Sequence, residues 1–404
     1  MGTHTSKLNI HNDRLIAPRV SKTDLTNIDV TQGVKSIAPL AFKGCSSLTR
    51  VTLPETLTSI GESAFAECTG LTALVLPDAL TSVSSHAFNG CCGLTSLTLP
   101  KTLKSVGEHA FGGCRGLTSL ALPEDWTTVG PHAFDGCSWL ISLTLPETLT
   151  CIREHAFSRC IGISSLALPE TLLTVGDSAF YLCSGLTSLT LPDSLTNICP
   201  DAFGGCRGLV SLTLPTTLVS VADRAFYLCS GLTSLTLPDT LTSVGSGAFA
   251  RCRCLTSLKL PRKLTSVGGR AFYLCRGLTS LEMPESLTAV GDSSFFGCAG
   301  LTSIAFPHSL DKVGKHAFAY CTGLTSVVFR PRLSAAFIVW AVGSMRNRDN
   351  WRLTTVKYSR NVLCLIMALT LEHRHVSSID PCEGNEVFAF CGFLTNKNCA
   401  SVDT

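Results

Sequence analysis

One pattern of apolar and polar positions repeats thirteen times between Leu25 and Gly323, with no insertion or deletion. The 23-residue unit reads L-T-S-L-T-L-P-x-x-L-T-S-V-G-x-x-A-F-x-x-C-x-G; it starts at Leu25 and recurs in phase to Leu301, with Ile163 once in place of leucine. Alternation over unit positions 3 to 6 predicts a short strand whose position-4 side chain faces inward while positions 3 and 5 face out. Proline at position 7, from Pro54 to Pro307, cannot donate to a ladder and ends that strand. Leucine at position 10 and valine or isoleucine at position 13 return the chain to the core, and the Ala-Phe pair at positions 17 and 18, such as Ala64 and Phe65, fills the far wall. Glycine at position 14 (Gly61, Gly107, Gly176, Gly245) reads as a turn residue with an unusual backbone angle.

A fixed period in the twenties predicts a solenoid, each turn packing only on its neighbours. The expected architecture is an α/β solenoid: an arc with one parallel sheet on its concave side, about 4.8 Å per rung, and a helical C-terminal cap. Residues 1–24 read as a polar tail or cap, 25–329 as the solenoid with thirteen full repeats and a partial one, and 330–404 as the helical cap and a loose tail. Asp349 or Asn350 suits an N-cap, and Leu353, Val356, Val362, Leu363, Ile366 and Leu369 give an apolar stripe, so a helix is expected over 350–372. A shorter helical stretch is expected from Ala335 to Val342. Arg346, Arg348, Arg352, Lys357 and Arg360 make the start of this segment basic, which leaves a separate interaction module as the other reading.

The pattern L-x-x-L-x-L-P-x-x-L-x-x-[IV]-G-x-x-A-F-x-x-C resembles the BspA-like subclass of leucine-rich repeats, and it covers roughly three quarters of the chain. The resemblance implies an adhesion or recognition scaffold, a role such proteins often take at cell surfaces.

Thirteen of the 21 cysteines occupy position 21 of the unit, from Cys45 to Cys321. Cysteine behaves there as a small buried hydrophobe, so a ladder of reduced thiols is expected. An odd number of identical positions makes a poor scheme for disulfides, and zinc modules need paired spacings that no C-x-x-C here supplies. In the tail, His373, His375, Cys382, Cys391 and Cys399 could close a small zinc site, although their spacings match no zinc module. Histidines at position 16 (His86, His109, His132, His155, His316) read as exposed loop residues. With no phosphate loop, nucleophile elbow or H-E-x-x-H, the sequence predicts no enzyme, no cofactor and no metal.

A net charge of +3 is too small to argue for nucleic acid. The N-terminal stretch lacks the apolar core of a secretory signal, and the longest apolar run, Val362 to Leu371, is half a membrane span, so a cytoplasmic protein is expected. Gly2 and Ser6 fit the N-myristoylation pattern, which would supply a weak anchor; a plain polar tail is the alternative.

The outward strand positions carry small neutral residues, such as Ser188 and Thr190, with few of the aromatic and arginine anchors that dominate interfaces. The variety lies on the flanking turns. There Arg207, Arg224, Tyr227, Arg251, Arg253, Arg270, Tyr273 and Arg276 form the candidate surface for a protein partner. The rows of S-x-T hydroxyls allow an ice- or glycan-binding array as an alternative, and a purely architectural rod is a third reading.

Overall fold

The computed structural model describes residues 8–18, 24–329, 355–358 and 378–381. They form a leucine-rich-repeat solenoid of parallel strands with about thirteen turns, divided into two compact units, Met1–Thr240 and Leu241–Thr404. Most turns place a three-residue strand at positions 3 to 5, as in Arg50–Thr52, Ser165–Ala167 and Ser257–Lys259, with the outer residues exposed and the central one buried. Rungs pair without slippage: Leu166 lies opposite Leu189 in the first unit, and Leu258 opposite Leu281 in the second.

The expectation of a single sheet is incomplete. Positions 12 and 13 make a second parallel ladder of two-residue strands: Thr128–Val129, Cys151–Ile152, Thr174–Val175 and Asn197–Ile198 in the first unit, Ser243–Val244 to Lys312–Val313 in the second. The β-branched residue at position 13 points inward and is buried, while its neighbour stays at the surface. Threonines fix the spacing of the turns. Thr150 Oγ1 donates to Thr127 O at 3.0 Å, and Thr171 Oγ1 to Leu149 O at 2.8 Å.

Position 18 builds the core. From Phe42 to Phe226 in the first unit, and from Phe249 to Phe318 in the second, rings stack on the next turn at 5.0–5.6 Å with planes within 14°. Behind them runs the ladder of buried position-21 thiols, none of which forms a disulfide. Trp126 takes the place of the position-10 leucine; it is fully buried, and its indole N–H donates to Leu103 O.

The glycine at unit position 14 has a different role from the one expected. Gly61, Gly107 and Gly176 are not among the residues with positive φ. A Cβ on Gly107 would stand 2.4 Å from Ser85 N, and one on Gly61 2.6 Å from Pro39 N, so glycine is there for close backbone approach between turns. The positive angles fall at positions 16 and 20 instead, as in His132 (φ 53) and Gly136 (φ 76).

The N-terminal residues form a hairpin. Leu8–His11 pairs antiparallel with Arg14–Pro18 through Asn12 and Asp13, both at positive φ, the geometry of a two-residue hairpin turn. Arg14 and Leu15 then pair with Ser36 and Ile37, and Leu15 is fully buried, so the hairpin covers the open end of the second ladder.

Among the described residues there is no α-helix, and none long and apolar enough to cross a membrane. The helical cap expected over 350–372 is corrected near its start: Thr355–Tyr358 is a strand, parallel to Ser326–Phe329, followed by Ser378–Pro381 in the same sheet. The unpaired edge of Ser326–Phe329 offers a template, and Thr354, Thr355, Val356 and Tyr358 are β-branched or aromatic, so pairing outweighs the helical stripe. The expected stretch from Ala335 to Val342, the tail residues His373, His375, Cys382, Cys391 and Cys399, and Gly2 with Ser6 lie outside the described residues.

Candidate functional site

Stacking in phase turns one repeat position into a column of side chains. In the first unit four successive turns place histidine at position 16, each with left-handed backbone: His86 (φ 58), His109 (φ 52), His132 (φ 53) and His155 (φ 53). That geometry is held by bonds between turns; His132 N donates to Glu154 O and His155 N to Asp177 O, both at 2.9 Å. The imidazoles are half-buried, and successive ring centroids lie 5.0, 4.1 and 4.5 Å apart. They are therefore a packed stack, where the sequence suggested exposed loop residues. Burial is the main cause that lowers the His109 and His155 pKa values, with repulsion from the neighbouring His132 next.

Beside the stack lies Asp135, only 5% exposed. Arg159 grips it with a two-pronged contact, Nη2 to Oδ2 at 2.6 Å and Nε to Oδ1 at 3.1 Å, which raises the guanidinium pKa. Asp135 Oδ2 also stands 3.6 Å from His132 Nδ1, an enclosed nitrogen with no hydrogen-bond partner. On the other side Glu108 Oε1 lies 3.9 Å from His109 Nε2. His109, Asp135 and Arg159 border a cleft of about 630 Å³, lined also by Arg115, Ser138 and Ile161 among others. Trp139, 67% exposed, and Ile161, 48% exposed, add apolar surface around residues 138 to 161.

The eight residues singled out in the sequence fall in both units. In the first, Arg224 lies over the Tyr227 ring at 4.7 Å and pairs with Asp201 Oδ1 at 3.0 Å, while Arg207 is exposed. In the second, Arg253, Arg270 and Arg276 are exposed, and Arg251 and Tyr273 half-buried. Arg251 N donates to Tyr273 O at 2.6 Å, and the Tyr273 ring stacks on Phe296 at 5.1 Å.

Sequence reasoning missed the histidine stack with Asp135 and Arg159. The signal was present: four histidines at a constant spacing of 23 residues must become neighbours once turns stack.

A family model described as BspA type leucine rich repeat region matches in six copies over residues 20–141, 127–255 and 219–336. Among solved structures, a leucine-rich repeat protein from Bacteroides ovatus is 27% identical, with a TM-score of 0.57, and the match covers 87% of this chain and 97% of that one. A leucine rich cell surface protein from Faecalibacterium prausnitzii is 26% identical with a TM-score of 0.56, covering 84% of this chain and 96% of that one. A leucine-rich repeat protein from Eubacterium ventriosum, 19% identical with a TM-score of 0.52 over 76% of this chain and 90% of its own, shares the fold. No curated protein matches the chain.

Proposed function

The chain belongs to the BspA-type leucine-rich-repeat family, and on that premise we propose that it is a non-enzymatic protein-interaction scaffold that holds a protein partner on its flanking turns. One observation carries this reading: large charged and aromatic side chains are concentrated on the turns, and the strand faces carry mostly small ones, with Arg50, Lys259 and Glu282 among the charged exceptions. Ser188, Thr190, Ser211 and Thr213 are the exposed residues of their strands, whereas Arg207, Arg224 with Tyr227, Arg253, Arg270 and Arg276 stand on the turns. Arginine and aromatic anchors supply most of the energy of protein interfaces, so the turns are the better recognition surface. The seventeen cysteines among the described residues stand outside disulfides, which suits a reducing compartment and a cytoplasmic setting.

A second reading, adhesion at a cell surface, is favoured by the F. prausnitzii relative described as a cell surface protein. Cross-linked affinity capture with the intact chain as bait tests the first reading. The matched control carries Arg207→Glu, Arg224→Glu, Tyr227→Glu, Arg253→Glu, Tyr273→Glu and Arg276→Glu. A protein partner captured by the intact chain and lost with the control supports the scaffold and its turn surface. Equal capture by both baits rules out that surface. Digestion of the protein by protease added to intact cells would favour the adhesive reading.

A further inference from the structure

We propose that Glu108, His109 and His132 form a binding site for a divalent first-row transition cation of the zinc and copper class. Each residue offers one ligand atom, and the three atoms lie within 4.8 Å of one another. A metal bound about 2.0–2.2 Å from each imidazole nitrogen and carboxylate oxygen needs donors within about 4 Å of each other and lies in the plane of each ring, so the stacked His109 and His132 rings, 4.1 Å apart with planes 26° apart, splay open to close the site. Two imidazoles and one carboxylate select this cation class; magnesium and calcium prefer oxygen donors throughout.

A second observation points the same way. His132 Nδ1 is enclosed and has no hydrogen-bond partner, yet it faces Asp135 Oδ2 at 3.6 Å. Metal-bound histidines commonly donate their other ring N–H to a carboxylate, which fixes the tautomer and the ring direction; Asp135 Oδ2 is placed to accept that bond once the His132 ring moves a few tenths of an ångström closer. Asp135 is itself held in place by the Arg159 fork, so the supporting carboxylate is rigid before any metal arrives. His86 Nδ1 is already engaged, 3.0 Å from Asn89 Nδ2. Three protein ligands leave the remaining position to water, the arrangement of an open site.

The test is calorimetric titration of the intact, chelator-stripped chain with Zn²⁺, alongside Co²⁺ absorption spectra. The expected result is one Zn²⁺ bound per chain at this site, with a Co²⁺ spectrum lacking thiolate charge transfer. His109→Gln and His132→Gln should each weaken binding tenfold or more. Glu108→Gln, at an exposed position that leaves folding intact, should weaken it as well. Asp135→Asn, which removes a supporting carboxylate and no ligand, should cost about 10–100-fold in affinity. The melting temperature of each variant, measured with chelator, separates lost ligation from lost folding. No binding by the intact chain, or unchanged binding by Glu108→Gln and by a folded His109→Gln/His132→Gln double variant, overturns the site. Thiolate charge transfer in the Co²⁺ spectrum does the same, because it would place the ion on cysteines.

Discussion

The thiol of Cys160 donates to the carbonyl oxygen of Phe134, 3.3 Å away on the preceding turn. The same oxygen accepts the backbone N–H of Cys137 within its own turn, also at 3.3 Å. One carbonyl therefore closes a turn and links it to the next. The link recurs from Cys68 Sγ on Phe42 O at 3.1 Å to Cys321 Sγ on Phe295 O at 3.2 Å. This explains why cysteine, rather than alanine or serine, fills position 21. Its sulfur fits an apolar slot and its proton still reaches the carbonyl. Cys160→Ala removes a weak hydrogen bond and leaves a small void, for an expected loss of about 1–2 kcal/mol in urea unfolding.

The same ladder predicts how the thiols react. Cys92 and Cys254 are exposed, while every position-21 thiol is buried. A thiol-specific reagent should modify Cys92 and Cys254 at once in the native protein, and reach the ladder only after denaturant is added. Peptide mapping of the modified chain checks this; rapid native labelling of Cys160 or Cys275 would contradict the burial.

Alkaline pH should unfold the chain. Burial pushes the thiols of Cys91, Cys183, Cys229, Cys275 and Cys321 up to about 12 from an ordinary value of 9.0. The folded state then holds protons that the unfolded state releases, so this stabilisation is whole below pH 9 and declines as pH rises from 9 towards about 12. The melting temperature should fall across that window, and Cys183→Ala should show a shallower fall than the intact chain.

The phenylalanine column predicts a larger effect. Phe180 is buried between Phe157 and Phe203, with ring centroids 5.5 and 5.4 Å away. Phe180→Ala or Phe203→Ala should destabilise the protein by ~3–5 kcal/mol, as loss of core aromatics does. A melting temperature close to that of the intact chain would show that position 18 is not a core position.

Positions 1 to 7 of the unit, the inward leucine and the buried phenylalanine were legible because a strict repeat averages out local noise. The second ladder was not, since a two-residue strand such as Thr174–Val175 is too short to show alternation. At the C-terminal end two patterns competed. Leu353-Thr354-Thr355-Val356 echoes the start of the unit, and Val376-Ser377-Ser378-Ile379 repeats it 23 residues later. An apolar stripe with helical spacing crosses the first of these and dominated the reading, although the strand pairs Thr355 with Ser378 in repeat register. The site was hidden for a further reason. Asp135 and Arg159 look like ordinary turn residues until stacking places them 2.6 Å apart, and only the fold reveals that one of them is buried.

That asymmetry gives a prediction about the pair. The Asp135 side chain is 5% exposed and that of Arg159 61% exposed, so the two partners depend on each other unequally. Asp135→Asn leaves a guanidinium that water can solvate, and the expected cost is about 1–2 kcal/mol after allowance for solvent screening. Arg159→Ala strands a carboxylate away from water and should cost more, about 2–3 kcal/mol, towards the lower limit for breaking a buried pair. Combined with Asp135→Asn, the arginine substitution should cost less than the sum of the two, because no buried charge remains to be left unpaired. Urea unfolding of the two single variants and the double variant in the presence of chelator measures this coupling. Additive losses would mean that Asp135 holds its charge without help from Arg159.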